Sequence, residues 1–189
     1  WLIRPWHLWW RVFLVGASWF FYGFWEPQFV LLLVGSTAAN WAMGYDLARM
    51  RGPEGLSRGG KWFLGFGVAA NVSTLGWFKY YGFFATEMAD AFDRIGFGAP
   101  LPLMEITLPV AISFFTFHAI SYLVDIARGD TEPMAPLDFA LYLSFFPHLV
   151  AGPIVRASEF APQLREPLRE RLIDAAPAFQ LIFFGLFKK

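Results

Sequence analysis

Two strongly apolar blocks, residues 108–124 and 139–155, constrain this chain more than any other feature of its sequence. Each block contains a histidine, hydroxyl-bearing side chains and at least one proline. If these segments lie in a membrane, their prolines and ionisable groups must face protein or a water-filled cavity, because lipid satisfies neither a freed backbone group nor a charge. The two blocks therefore predict a pore, a tunnel or an active site.

The composition is typical of an integral membrane protein. Hydrophobic residues make up 57% of the 189 residues and aromatic residues 20%, which exceeds the apolar share of an ordinary soluble domain. The formal net charge is zero, so there is no electrostatic argument for nucleic-acid binding. Cysteine is absent, which excludes thiolate catalysis and cysteine-based zinc sites in this segment.

The apolar segments predict an all-α, polytopic bundle of transmembrane helices. Several of them approach the ~20 residues that a bilayer crossing needs, and Glu26-Pro27 is expected to separate the first two. The small and polar residues at 36–40 are interpreted as a close-packing face. A basic loop over 49–61 is expected in the cytoplasm. The predicted helices cover residues 8–25, 28–47, 61–81, 83–95 and 108–126, and another begins over 175–187.

The block 139–155 is predicted to be a re-entrant element. The loop before it is cytoplasmic by alternation, yet the arginines that follow it also favour the cytoplasm. A segment that enters and leaves on the same face resolves this conflict, with turns at Pro147 and Gly152-Pro153. Two short interfacial helices are expected after it, over 157–173, because Pro162 and Pro167 interrupt that segment.

Three motifs in this region, taken in their order and spacing, resemble one protein family. They are LPVAISFFTF at 108–117, SYLVD at 121–125 and SFFPHLVAGPI at 144–154. Together they are similar to the membrane-bound O-acyltransferases, and most closely to the bacterial alginate O-acetyltransferase branch. The likeness extends to FKYY at 78–81, to residues 156–164 and to the closing GLFKK at 185–189.

The resemblance implies a bacterial inner-membrane, multi-pass acetyltransferase that acts on an exported polysaccharide such as alginate. Residues 1–189 would be the N-terminal part of a single membrane domain, truncated before its catalytic half, with the family's catalytic histidine beyond Lys189. The acyl donor would be acetyl-CoA or another acyl thioester, with no bound cofactor. Membrane lipids and periplasmic accessory acetyltransferase proteins are the partners that the resemblance implies.

Eight residues are candidates for lining the tunnel. His118 and His148 are expected to be neutral hydrogen-bonding groups, because a charged imidazolium is costly in an apolar block. A structural role is favoured over a general base, since glutamine can occupy either position in similar sequences. Two histidines thirty positions apart do not form a metal-ligand signature. The candidates are His118, Asp125, Ser144, Pro147, His148, Gly152, Pro153 and Arg156.

Two charged positions carry more specific expectations. Asp125 and Arg128 are three residues apart at the end of a helix and are expected to pair. Arg156 could contact an anionic donor, such as the phosphates of a coenzyme A thioester. It could equally anchor the re-entrant element to lipid headgroups, and the sequence leaves both roles open.

Two alternative functions also stay open at this point. Transfer of D-alanine to teichoic acids belongs to the same superfamily, and residues 1–189 do not distinguish it from acetyl transfer. A transporter or flippase would also use broken and re-entrant helices, although the chain has no internal repeat. The sequence that follows Lys189 would discriminate between these readings.

Overall fold

The described part of the chain is almost entirely helical, which confirms the predicted all-α class. The computed structural model describes residues 7–25, 27–94, 108–152, 155–165 and 175–188. Its elements are α1 (His7–Trp25), a 3-10 turn (Pro27–Phe29), α2 (Val30–Arg49), β1 (Arg51–Gly52), β2 (Gly55–Leu56), α3 (Arg58–Arg94), α4 (Ile112–Arg128), α5 (Pro136–Ser144), α6 (Phe146–Ala151), α7 (Ala157–Arg165) and α8 (Ala175–Lys188).

The predicted break between the first two helices is confirmed. Helix α1 ends at Trp25, and α2 begins at Val30 after the 3-10 turn that starts at Pro27. Proline fits the first turn of a helix because no backbone donor is needed there, and it disfavours helical geometry in the residue before it. The first two helices are therefore separate elements.

The polar loop predicted over residues 49–61 is shorter than expected, because α3 begins inside it. Ser57 precedes the helix, and its hydroxyl accepts a hydrogen bond of 3.1 Å from the backbone N–H of Gly60. A serine in this position satisfies one of the N–H groups that a helix leaves free at its start. The rest of the loop folds into a small hairpin in which Arg51 pairs with Leu56.

Helix α3 continues over 37 residues, so the helix predicted over 83–95 continues directly from the one predicted over 61–81. Gly82, which lies between the two predicted ranges, does not interrupt it. No proline occurs between Arg58 and Arg94, and a single glycine costs a helix only about 1 kcal/mol. At ~1.5 Å per residue, α3 is roughly 55 Å long.

Helix α4 forms the centre of the hydrophobic core. It packs against α2 and α3, whereas α5 packs against α1 and α2. Its buried residues recur at intervals of three and four, which places them on one face of the helix. The buried apolar residues of α4 are Ile112, Phe115, Ala119, Tyr122, Leu123 and Ile126.

The packing face predicted at residues 36–40 is confirmed for Thr37 and Asn40, which are buried, and not for Ala38 and Ala39, which are exposed. Asn40 and Asn71 are buried between α2 and α3, and their side-chain amides exchange two hydrogen bonds of 2.8 and 3.2 Å. The buried hydroxyl of Thr37 donates to the Leu33 carbonyl oxygen at 2.7 Å. The polar groups of this face are therefore satisfied within the bundle.

Helix α7 runs through Pro162, so the predicted interruption at this proline is wrong. Proline removes one helical hydrogen bond, and burial of Ala157 and Ala161 against the core holds the short helix in place. Pro167, the second predicted interruption, lies outside the described residues.

None of the helices in the described ranges is both long enough and apolar enough to cross a membrane. The predicted transmembrane bundle stays a prediction.

Candidate functional site

The predicted turn in the second apolar block lies at Phe145 rather than at Pro147. Helix α5 ends at Ser144 and α6 begins at Phe146, so Phe145, with φ −58° and ψ 109°, is the non-helical residue between them. Pro147 occupies the first turn of α6. A backbone N–H at this position would have no partner within the helix, so proline loses no hydrogen bond there, and its fixed φ suits a helix start. Pro147 therefore starts a helix instead of breaking one.

Helix α1 supplies the polar partners of this break. The backbone N–H of Phe146 donates to the Ser18 hydroxyl oxygen at 3.3 Å. Ser144 is fully buried, accepts a hydrogen bond of 3.0 Å from the Trp19 indole N–H, and donates to the Ala140 carbonyl oxygen. The Ser144 hydroxyl is thus engaged in two hydrogen bonds, and its role in lining a tunnel stays a prediction.

Beyond α6, two buried side chains hold the main chain of Val155. The backbone N–H of Val155 donates to His118 Nε2 at 3.3 Å, and the Tyr142 hydroxyl donates to the Val155 carbonyl oxygen at 2.9 Å. His118 and Tyr142 are each 1% exposed. We call these two side chains, with the Val155 peptide groups between them, the Val155 clamp.

The clamp determines the tautomer of His118. A ring nitrogen that accepts a hydrogen bond carries no proton, so in the neutral ring the proton lies on Nδ1. This agrees with the neutral, hydrogen-bonding histidine that the sequence predicts. The Nδ1 atom is buried and has no hydrogen-bond partner among the described residues.

His148 lies beside His118 in a largely aromatic environment. The two imidazole rings are 6.5 Å apart between centroids. The His148 ring also meets Phe145 at 5.1 Å and Phe160 at 5.9 Å, both edge to face. Within the described part of the chain, no group of three or more histidines and carboxylates is placed to hold a metal ion.

Asp125 and Arg128 do not form the predicted ion pair. Asp125 is 4% exposed, and its Oδ2 atom has no hydrogen-bond partner among the described residues. Arg128 is exposed in the last turn of α4, where a cation interacts favourably with the helix dipole. The charges of Arg156, just before α7, and of Arg128 both act on Asp125, but neither forms an ion pair with it within 4 Å.

Gly152 is required for space and not for an unusual backbone conformation. Its φ of −81° and ψ of 153° are open to any residue, so the permissive backbone expected from the sequence is not the reason for glycine here. A Cβ atom at this position would lie 2.8 Å from His148 Cδ2 and would also collide with the His148 main chain. Pro153, its predicted partner in the turn, lies outside the described residues.

Replacing Gly152 by leucine is therefore expected to lower the yield and thermal stability of the protein together with any activity. Overpacking of this kind costs roughly 1–3 kcal/mol. Gly82→Leu is the control, because a Cβ atom there meets nothing within 4 Å among the described residues. A Gly152→Leu protein as stable as the control but inactive would assign this backbone a direct role in binding.

Tyr142 belongs to the site, although it is not among the residues predicted from the sequence. The signal was nevertheless present, because Tyr142 is the one tyrosine in the apolar block 139–155. A tyrosine buried in such a block requires a partner for its hydroxyl. The structure supplies that partner in the Val155 carbonyl oxygen, a contact that local sequence patterns do not encode.

A separate surface cleft of about 330 Å³ lies between the hairpin and the loop after α4. Arg51, Ile126 and Glu132 are among the residues that line it. None of the tunnel candidates that the structure describes lines this cleft, so it does not correspond to the predicted tunnel.

Comparison with known proteins identifies curated relatives. The chain is 37% identical over 155 residues to a Pseudomonas aeruginosa protein named "Probable alginate O-acetylase AlgI", covering 81% of this chain and 29% of that protein. It is 36% identical to a Helicobacter pylori protein named "Peptidoglycan O-acetyltransferase", covering 95% of this chain and 37% of that protein. A Pseudomonas syringae pv. tomato protein, also named "Probable alginate O-acetylase AlgI", is 36% identical, covering 81% of this chain and 29% of that protein.

The chain thus spans about a third of the length of these relatives. No protein-family model and no solved structure matches it.

Proposed function

Since this chain belongs to the membrane-bound O-acyltransferase family, we propose that the whole protein moves an acetyl group from an acyl thioester to hydroxyl groups of a cell-envelope polysaccharide. In this reaction the thioester C–S bond breaks, an ester C–O bond forms, the thiol leaves, and a base takes the hydroxyl proton. The supporting observation is similarity over 81–95% of the chain to relatives named for O-acetylation of alginate and of peptidoglycan.

The acceptor and the donor are tested by analysing the products. The whole protein is expressed in a bacterium that lacks its own acetylase, and ester-linked acetate is measured on alginate and on peptidoglycan with acetyl-CoA supplied. We expect acetate on the exported polysaccharide, with alginate as the first candidate. D-alanine esters on teichoic acid would indicate the sister reaction, and the absence of any acyl ester would contradict the proposal.

We place the general base outside residues 1–189. His118 already uses Nε2 to accept the Val155 N–H, so taking a proton there would break the clamp. His148 is surrounded by Phe145, Phe160 and the His118 ring, and no carboxylate accompanies it within hydrogen-bond distance among the described residues. The family resemblance supports this proposal, since it implies a catalytic histidine after Lys189.

His148→Gln is accordingly expected to retain most of the acetyl transfer of the whole protein. Glutamine keeps hydrogen-bonding capacity without a titratable base. Replacing the downstream histidine should lose the ~10²–10⁴-fold that general acid–base catalysis contributes. Acetyl transfer by purified protein is the measurement, and a folded but inactive His148→Gln variant would make His148 the base.

We also propose that the protein lies in the bacterial inner membrane, where periplasmic accessory proteins could meet it. The supporting observation is an unusually large apolar surface, which in water would favour association. On α1, Phe20 is 75% and Phe24 82% exposed. On α8, seven large apolar side chains are 60–84% exposed: Phe179, Leu181, Ile182, Phe183, Phe184, Leu186 and Phe187.

The re-entrant arrangement predicts that both flanks of the block 139–155 are cytoplasmic. Cysteines introduced at Glu132 and Ser158 should both resist an impermeant thiol reagent added outside intact cells. Residues 1–189 contain no native cysteine. Glu87→Cys is the reactive control, because the segment around Glu87 is acidic with Arg94 as its single basic residue and is therefore expected outside the cytoplasm. Labelling of one flank alone would indicate a full crossing.

A further inference from the structure

The Val155 clamp holds the peptide groups on both sides of one residue. The His118 ring is on α4 and the Tyr142 ring is on α5, so two separate helices fix the same short piece of main chain. The two rings also contact each other, with centroids 5.1 Å apart. Both are almost fully buried, so water does not compete for these hydrogen bonds.

The residue that follows the clamp is Arg156, and its main chain is fixed from the other side as well. Its carbonyl oxygen accepts hydrogen bonds of 3.1 Å from the backbone N–H groups of Glu159 and Phe160, which opens α7. The next residue, Ala157, is fully buried in the core. The backbone at Arg156 therefore has little freedom, while its side chain is exposed.

A fixed backbone with an exposed guanidinium is suited to binding an anion. Arginine presents several N–H donors in a rigid fork that matches a phosphate. A group held in advance loses less entropy when its ligand arrives.

We infer that His118 and Tyr142 are positioning residues, whose hydrogen bonds to Val155 hold Arg156 where it binds a phosphate. The inference rests on the proposed function, since the phosphate groups in such a reaction are those of the coenzyme A part of the acyl thioester. The same chemistry is present in the headgroup of an anionic lipid, so the experiment separates the two sources.

The first measurement follows the clamp without using enzyme activity. Trypsin cleaves after arginine, and cleavage at Arg156 requires the clamped main chain to open. Tyr142→Phe and His118→Leu should each increase cleavage at this bond in the folded whole protein. His118→Gln should restore protection, because the glutamine side-chain oxygen can accept the Val155 N–H. His148→Gln, which leaves the clamp untouched, should cleave as slowly as the original protein.

The second measurement is steady-state kinetics with acetyl-CoA. Arg156→Gln and Tyr142→Phe should each raise the KM for acetyl-CoA ~10-fold or more, as expected for loss of one hydrogen bond to a charged group. The value of kcat should change by less than about twofold, because a contact of this kind binds the ground state and the transition state equally. The double variant should be no worse than Arg156→Gln alone, since both changes remove the same contact.

The outcomes are distinct. Unchanged cleavage in Tyr142→Phe and His118→Leu overturns the clamp. If the KM for acetyl-CoA is unchanged but anionic lipid in vesicles no longer affects the activity of the variants, the phosphate is that of a headgroup and the donor contact is overturned. If neither the KM for acetyl-CoA nor the effect of anionic lipid changes, Arg156 binds no phosphate and the inference is overturned. A protein that forms no acyl ester contradicts the proposed function, whereas trypsin cleavage still decides the clamp.

Discussion

Replacing Arg11 by methionine should lower the free energy of unfolding by roughly 3 kcal/mol or more, because it leaves a buried carboxylate without its counter-charge. Arg11 Nη1 lies 2.8 Å from Asp138 Oδ1, an ion pair by distance that lacks the alignment of a hydrogen bond. Arg11 Nη2 also donates to the Leu164 carbonyl oxygen at 2.6 Å. One side chain thus connects α1 to α5 and to α7.

Combining Arg11→Met with Asp138→Leu should recover most of the stability, since a buried ion pair and two apolar residues of similar size are often nearly equivalent. The measurement is denaturant or thermal unfolding of the purified whole protein. A double variant as unstable as Arg11→Met would mean that the lost Leu164 contact, and not the unpaired charge, carries the effect.

Gly44→Ala should destabilise the protein by roughly 1–3 kcal/mol through overpacking. Gly44 lies where α2 meets α4, and a Cβ atom there would collide with the Tyr122 ring and lie 2.9 Å from Ile126 Cδ1. Tyr122 is fully buried, so its ring has no open space to enter. The expected result is a lower melting temperature with unchanged helix content.

Gly35→Ala, on the same helix, is the matched control. Its Cβ atom would meet nothing within 4 Å among the described residues. Because alanine favours the helix over glycine, this variant should keep its stability or gain up to about 1 kcal/mol. Equal changes in the two variants would point to helix propensity, not to the α2–α4 contact, as the cause.

The sequence predicted elements well where a local signal marks their ends. Pro27 marks the 3-10 turn that leads into the second helix, and Gly129 ends α4 with a left-handed φ of 86°, as glycine often does. The start of α4 was predicted at residue 108 and lies at Ile112. The Tyr22 hydroxyl donates to the Val110 carbonyl oxygen at 3.0 Å, and this long-range contact has no local signal in the sequence.

The same distinction applies to the candidate site. The apolar blocks and their motifs identified His118 and His148, which the fold does bring together. The partners that satisfy the broken backbone come from distant parts of the chain, as Ser18 does for Phe146. Such pairs depend on how whole helices pack, and neither periodicity nor propensity encodes that packing.

The contact between Ser18 and Phe146 has a consequence for biogenesis. The two residues are 128 positions apart, and the acceptor is the earlier one. At ~5–20 residues per second, the ribosome finishes Ser18 roughly 6 to 26 seconds before Phe146. The Ser18 hydroxyl, which accepts the hydrogen bond from the first N–H of α6, is therefore already in the nascent chain when the break between α5 and α6 is synthesised. The order of translation thus favours formation of this contact.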